Sequence, residues 1–196
     1  YEQDIELAVY DEIRYFSQQT MGAMEPLADS YYGAWSEAVG ENIRGYSAVA
    51  YQFARELYEQ TDRKIPIAIV AAKMSGTRIQ AWMPEELLQS DPDFAAVNNL
   101  RTADVFANPT SSASFGQRAA ASFNAMVNPL LCMNIKGAVW YQGEENSFQP
   151  DFYKKALPSL MKCWRDKFRD EEMPFYIVQL PSYASPATNA KWPEMR

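Results

Sequence analysis

Apolar positions recur along this chain with two periods, one helical and one extended. In Ala48-Val49-Ala50-Tyr51-Gln52-Phe53-Ala54-Arg55-Glu56-Leu57-Tyr58-Glu59, residues Val49, Phe53 and Leu57, with Ala50 and Ala54, share one face at helical spacing. This predicts an amphipathic helix with Ser47 as its N-cap. A second helical stripe starts at Pro150 and carries Phe152, Ala156, Leu160, Cys163, Trp164 and Phe168. Pro158 falls inside it and is expected to kink the helix or delay its start. Pro84-Glu85-Glu86-Leu87-Leu88 opens a short helix with Pro in the first turn, and another is expected over Phe115 to Leu131.

The extended segments read differently. Glu12-Ile13-Arg14-Tyr15-Phe16-Ser17 forms a strand that ends near Gln18-Gln19-Thr20, followed by a polar, Gly-containing stretch with Trp35 inside it. Ile65 to Ala72, Ile135 to Tyr141 and Pro174 to Leu180 are apolar runs. Such runs are typical of parallel strands covered on both faces. Pro66 sits near the start of its run, where a missing N–H is tolerated. The alternation of strands and helices predicts an α/β fold with a parallel sheet. The strand ends at Ala72, Tyr141 and Leu180 are expected along one edge, where open α/β sheets hold their functional crevice. Two polar loops, Lys73 to Thr77 and Gln142 to Ser147, begin there. Thr102 to Gln117, with Asn108-Pro109-Thr110-Ser111-Ser112, reads as a surface excursion.

Composition narrows the classes. A chain of 196 residues, with no repeat, low-complexity segment or long linker, is expected to form one domain. It can bury roughly 70% of its unfolded surface. A net charge of −7 argues against nucleic acid, whose phosphates need a basic surface. It also disfavours an anionic membrane. No apolar run approaches the ~18 residues of a membrane span. Tyr1-Glu2-Gln3-Asp4 lacks the features of a signal peptide, although a processed or truncated chain would look the same. Aromatic residues make up 14% of the chain, and core packing accounts for most of them better than a sugar-stacking cleft does. Cys132 and Cys163 have no metal-ligand spacing, and either a disulfide or two buried thiols fits them.

The candidate chemistry lies in the two loops, in a chain with no histidine. Without histidine the usual base of a Ser-His or Cys-His mechanism is missing. In Ser75-Gly76-Thr77 a residue without Cβ lets a substrate oxygen approach the backbone N–H. Gln142, directly after a strand, can add a side-chain amide to complete an oxyanion hole. Taken alone, the glycine is better explained by an ordinary βα turn. Glu144 and Glu145 suggest a glycosidase pair, but adjacent residues point different ways, and a solvated or helix-N-terminal role fits better. Ser47, Ser75 and Thr77 are hydroxyl candidates outside any Gly-x-Ser-x-Gly pattern, with Lys73 as a fallback base.

Ala138-Val139-Trp140-Tyr141-Gln142-Gly143-Glu144-Glu145-Asn146 resembles the WYQGESN signature of the sialate O-acetylesterase family, a group of SGNH-type (GDSL-like) carbohydrate esterases. Five further segments are similar in the same order. YSAVAYQFAREL from Tyr46 resembles FSAVAYFFGREL, and IPIAIVAAKMSGTRIQAWM from Ile65 resembles IPIGLIxSSWGGTxxEAWM. FNAMVNPLLCMNIKG, leading into the signature, resembles YNAMIxPLxxxxIKG. PFYIVQLPSY and WPEMR, ending at Arg196, resemble PFxFVQLxxY and WxELR.

The resemblance implies a flavodoxin-like three-layer α/β/α sandwich, incomplete at both ends in this chain. It also implies a carbohydrate O-acetylesterase that works through a serine acyl-enzyme, with no metal or organic cofactor. Gly76 matches an oxyanion glycine and Gln142 the oxyanion amide, while Glu144 and Asn146 match supporting positions. The family's nucleophile, in Gly-Gln-Ser-Asn, and its base, in Asp-x-x-His, have no counterpart in this chain. Ala72, Lys73, Met74 and Ser75 stand where the family has Ser-Ser-Trp-Gly, and Gln80 stands for its Glu. The implied partners are an O-acetylated sugar or glycan and the remainder of a parent protein, with a periplasmic or secreted location for the full-length protein. A non-catalytic glycan-binding or structural module derived from the esterase is the alternative.

Overall fold

A computed structural model describes residues 2–30, 32–98, 118–183 and 195. The excursion expected over Thr102 to Gln117 lies outside them. The chain is a mixed α/β protein divided into two compact units, Tyr1–Gln19 with Tyr31–Lys73 and Thr20–Ser30 with Met74–Arg196.

The first unit contains α1 (Glu2–Glu6), β1 (Val9–Gln18), β2 (Gly33–Val39), α2 (Ala48–Gln60) and β3 (Ile67–Ala71). Its sheet has the order β2-β1-β3. β1 and β3 are parallel, from Ile13 opposite Ile67 to Ser17 opposite Ala71. β2 runs antiparallel to β1, with a register shift between Tyr10 and Arg14. The sequence pattern missed β2 because only Ala38 in it is buried, so it shows no period-two signal. β3 starts directly after Pro66, as a residue lacking an N–H requires. It is an edge strand of this sheet and only Ala71 is fully buried, not the doubly covered strand expected from its apolar run.

Ser47 caps α2 as expected, its side chain accepting a hydrogen bond from the Ala50 N–H at 3.4 Å. The buried face is Tyr51, Ala54 and Tyr58, whereas Leu57 is 39% exposed. Tyrosine decides this rotation. The Tyr10 ring packs edge-on against Tyr51 and Tyr58, and its hydroxyl donates to Glu59 at 3.0 Å. The Tyr58 hydroxyl donates to Glu12 at 2.8 Å. Each ring thus buries its apolar body while its hydroxyl keeps a partner.

The second unit contains α3 (Glu85–Gln89), α4 (Pro92–Asn98), β4 (Ala138–Trp140), α5 (Pro150–Phe168) and β5 (Phe175–Ile177). β4 and β5 form a separate parallel pair, Ala138 opposite Phe175 and Trp140 opposite Ile177. The parallel strands therefore hydrogen-bond in two sets rather than one, and they stop short of the expected ends, at Ala71, Trp140 and Ile177. α5 begins at Pro150 without delay and continues through Pro158. Pro158 is exposed, so water can reach the carbonyl that its ring leaves without a donor.

The expected helix ending at Leu131 is irregular. Phe123–Val127 is a π-helical turn and Asn128–Cys132 a 3-10 turn. The amide of Asn124 donates to the carbonyls of Ala23 and Met24, and that of Asn128 to Leu27. These bonds satisfy backbone that no regular element covers. Both cysteines are free thiols; Cys132 is exposed and Cys163 half-buried, so neither the disulfide nor the pair of buried thiols is found. Among the described residues no helix is long and apolar enough to cross a membrane.

Trp164, on α5, organises this unit. Its ring lies 5.9 Å from Trp140 at 90°, 6.0 Å from Phe175 and 6.5 Å from Phe123, and its indole N–H donates to the Trp82 carbonyl at 3.1 Å. Replacing Trp164 by Ala is expected to cost about 3–5 kcal/mol of unfolding free energy in a denaturant titration, since it opens a cavity and leaves that carbonyl unpaired.

Candidate active site

The segment 74–82 and the loop 142–147 are short and polar, and both are tied to an aromatic floor. After β4, Gly143 has φ +155 and is buried, and a 3-10 turn over Glu144–Asn146 follows. A Cβ at Gly143 would sit 3.0 Å from Leu180 Cδ1 and 3.4 Å from Met195 Cε. Glycine is therefore needed for both conformation and space. Tyr153, on α5, ties this loop to its strand: its hydroxyl donates to the Gln142 carbonyl at 2.8 Å and accepts from the Trp140 indole N–H at 3.1 Å. Burial pushes the Tyr153 phenol up to about 12, and the Glu144 carboxylate adds to the rise.

The other segment is pinned at Thr77. Its hydroxyl donates to the Met74 carbonyl at 3.2 Å and accepts from the Trp82 indole N–H at 2.9 Å. Gly76 is exposed with φ +68, and a Cβ there would meet no atom of the described residues within 4 Å. This left-handed turn is one glycine adopts without strain, and it leaves space for a ligand atom.

The two loops meet through side-chain amides. Gln142 Nε2 donates to the Thr77 carbonyl at 2.9 Å and to Asn146 Oδ1 at 3.0 Å. Asn146 is fully buried; its Oδ1 also accepts the Ile79 N–H at 2.8 Å, and its Nδ2 donates to Gln80 Oε1 at 3.2 Å. Gln142 thus spends both amide hydrogens inside the protein, and its buried Oε1 has no partner among the described residues. To donate to a substrate oxygen, Gln142 must release or share one of these bonds. Glu144 and Glu145 are exposed on the same loop.

The remaining candidates serve other ends. Ser47 is a helix cap in the first unit, and Ser75 is exposed. Thr77 is 4% exposed with its hydroxyl hydrogen committed, which removes it as a nucleophile. Lys73 Nζ donates to the Gly45 carbonyl at 3.4 Å and lies 5.5 Å over the Tyr15 ring, within the first unit. Burial raises the Cys163 thiol to about 11, so it is not a thiolate at neutral pH. Sequence reasoning missed Gln80 and Tyr153 as parts of this site. The only signal for Tyr153 was a phenol within the apolar stripe of α5.

Comparison with known proteins identifies the family. The model of a family described as carbohydrate esterase, sialic acid-specific acetylesterase, matches residues 13–196. The chain belongs to this family. Human sialate O-acetylesterase is 32% identical over 190 residues, covering 89% of this chain and 34% of the relative. The mouse sialate O-acetylesterase is 29% identical, covering 96% of this chain and 41% of its own. The crystal structure of a carbohydrate acetylesterase from Xanthomonas citri superposes with a TM-score of 0.76 at 28% identity, over 91% of this chain and 36% of that one. The chain thus spans between about a third and two-fifths of the length of these esterases.

Two outcomes test the geometry. Tyr153→Phe leaves the Trp140 N–H and the Gln142 carbonyl unpaired, at about 1–3 kcal/mol for each buried group in denaturant unfolding. Below about pH 10 the phenol is protonated in both states; above it the unfolded chain ionises first, so stability falls until the folded phenol titrates near 12. The wild type should therefore lose about 2–3 kcal/mol relative to Tyr153→Phe across that window. Gly143→Ala should lower stability by about 1–3 kcal/mol through backbone strain and the Leu180 contact, read by thermal unfolding.

Proposed function

We propose that this chain is the central, oxyanion-loop part of a carbohydrate O-acetylesterase that removes acetyl groups from sugars. The observation that carries the reading is the junction of the Thr77 and Gln142 loops, in a chain of the acetylesterase family. The bond ties the Gln142 amide to the residue that follows Gly76, which supports reading the two as a pair suited to a tetrahedral oxyanion. In the complete protein this chain is part of an SGNH-type domain of the three-layer α/β/α class, periplasmic or secreted.

In this reaction a serine outside these residues attacks the acetyl carbonyl carbon and passes its proton to a histidine base, also outside a chain without histidine. The carbonyl oxygen takes the negative charge and accepts hydrogen bonds from Gln142 Nε2 and the Gly76 N–H. The C–O bond to the sugar breaks, the sugar oxygen takes the proton, and an acetyl-serine remains. Water, activated by the same base, then releases acetate. Asn146 holds Gln142, and Glu144 supports the loop from its exposed side. By itself the chain is inactive.

The engagement of both Gln142 amide hydrogens favours a second reading, a glycan-binding or structural module without turnover. Acetate release from an O-acetylated sugar by the full-length protein separates the two. The esterase reading expects turnover that falls about 100–1,000-fold in kcat with Gln142→Ala, the usual cost of one oxyanion donor. Binding of the sugar with no acetate released would establish the module instead.

A further inference from the structure

Gln80 is fully buried, and its Nε2 finds no partner among the described residues. Such a donor is costly, and an apolar side chain of similar size would avoid it. The reason it is left unpaired lies in the orientation of its neighbours. Ile79 presents a backbone N–H to Asn146, and only an oxygen can accept it. This fixes Oδ1 toward Ile79 and turns Nδ2 toward Gln80, which must answer with Oε1. Turning the Gln80 amide over would set two NH₂ groups against each other. Gln80 cannot move aside, because its own carbonyl accepts the Ala120 N–H at 2.9 Å and its 3-10 turn, Ile79–Trp82, is anchored through Trp82 to Thr77 and Trp164.

We infer that Gln80 is a positioning residue: it fixes Asn146, and through Asn146 Oδ1 it sets where the Gln142 amide stands. This rests on the reading of Gln142 as the oxyanion donor. Gln142 has two anchors, the Thr77 carbonyl and Asn146. When one hydrogen turns to substrate, the bond to Asn146 keeps the amide in place, with Ile79 restraining the Asn146 oxygen and Gln80 its nitrogen. The unpaired Nε2 is the cost of keeping an acceptor at this position.

The test uses the full-length protein carrying Gln80→Leu or Gln80→Glu. Leucine removes the acceptor, whereas glutamate keeps an acceptor for Asn146 and removes the unpaired donor. Gln80→Leu should lower kcat for acetate release roughly 10–100-fold with KM unchanged, as a misplaced catalytic group does. Gln80→Glu should restore kcat to near the wild-type value. Crystal structures should show the Gln142 amide away from Asn146 Oδ1 in Gln80→Leu and in place in Gln80→Glu. The inference is overturned if Gln80→Leu keeps both kcat and the Gln142 position, or if both variants lose kcat alike along with stability. If the unsubstituted protein releases no acetate, the esterase reading falls, and the crystal structures alone still decide whether Gln80 sets the Gln142 amide.

Discussion

A buried primary amide needs its hydrogen-bond partners from within the protein, and Asn146 finds three of them in different parts of the second unit. Its oxygen takes the Ile79 backbone and the Gln142 side chain, and its nitrogen gives to Gln80. Those bonds restrain a loop whose regular structure is a single 3-10 turn. In a low-dielectric interior such bonds are strong when complete and costly when broken, so the loop geometry is held tightly. The candidate site is the consequence of that one side chain having nowhere else to place its polar atoms.

The aromatic floor makes this network possible. Trp82, Trp140 and Trp164 pack edge-to-face, and each indole N–H is used: Trp82 on Thr77, Trp140 on Tyr153, Trp164 on the Trp82 carbonyl. Large rings thus bury apolar area while fixing the backbone of the polar loops above them. Tyr153 extends this from α5 to the Gln142 carbonyl. The position of the Gln142 backbone therefore depends on the aromatic residues beneath it.

Much of the fold was legible in the chain. The Ser47 cap, the helix beginning at Pro150 and the apolar strands stand close to where periodicity placed them, because those signals are local. The meeting of the two loops was legible too, since Thr77 and Gln142 each follow closely on a strand. β2 was invisible, for it is a strand through pairing with β1 and not through its own alternation. The buried face of α2 was misassigned because tyrosine counts as polar in a pattern while its ring packs as apolar.

By itself the sequence determined the alternation of strands and helices, the family, and two of the amides, Gln142 and Asn146, that meet at the loops. All of these rest on residue type and spacing along the chain. Only the tertiary structure decided that the parallel strands bond in two sets, that Thr77 is spent on Met74 and Trp82, and that Gln142 turns both amide hydrogens inward. The physical reason is that a hydrogen bond between residues 65 positions apart is set by what is buried around it. Local spacing carries no record of which donor will find which acceptor once water is removed.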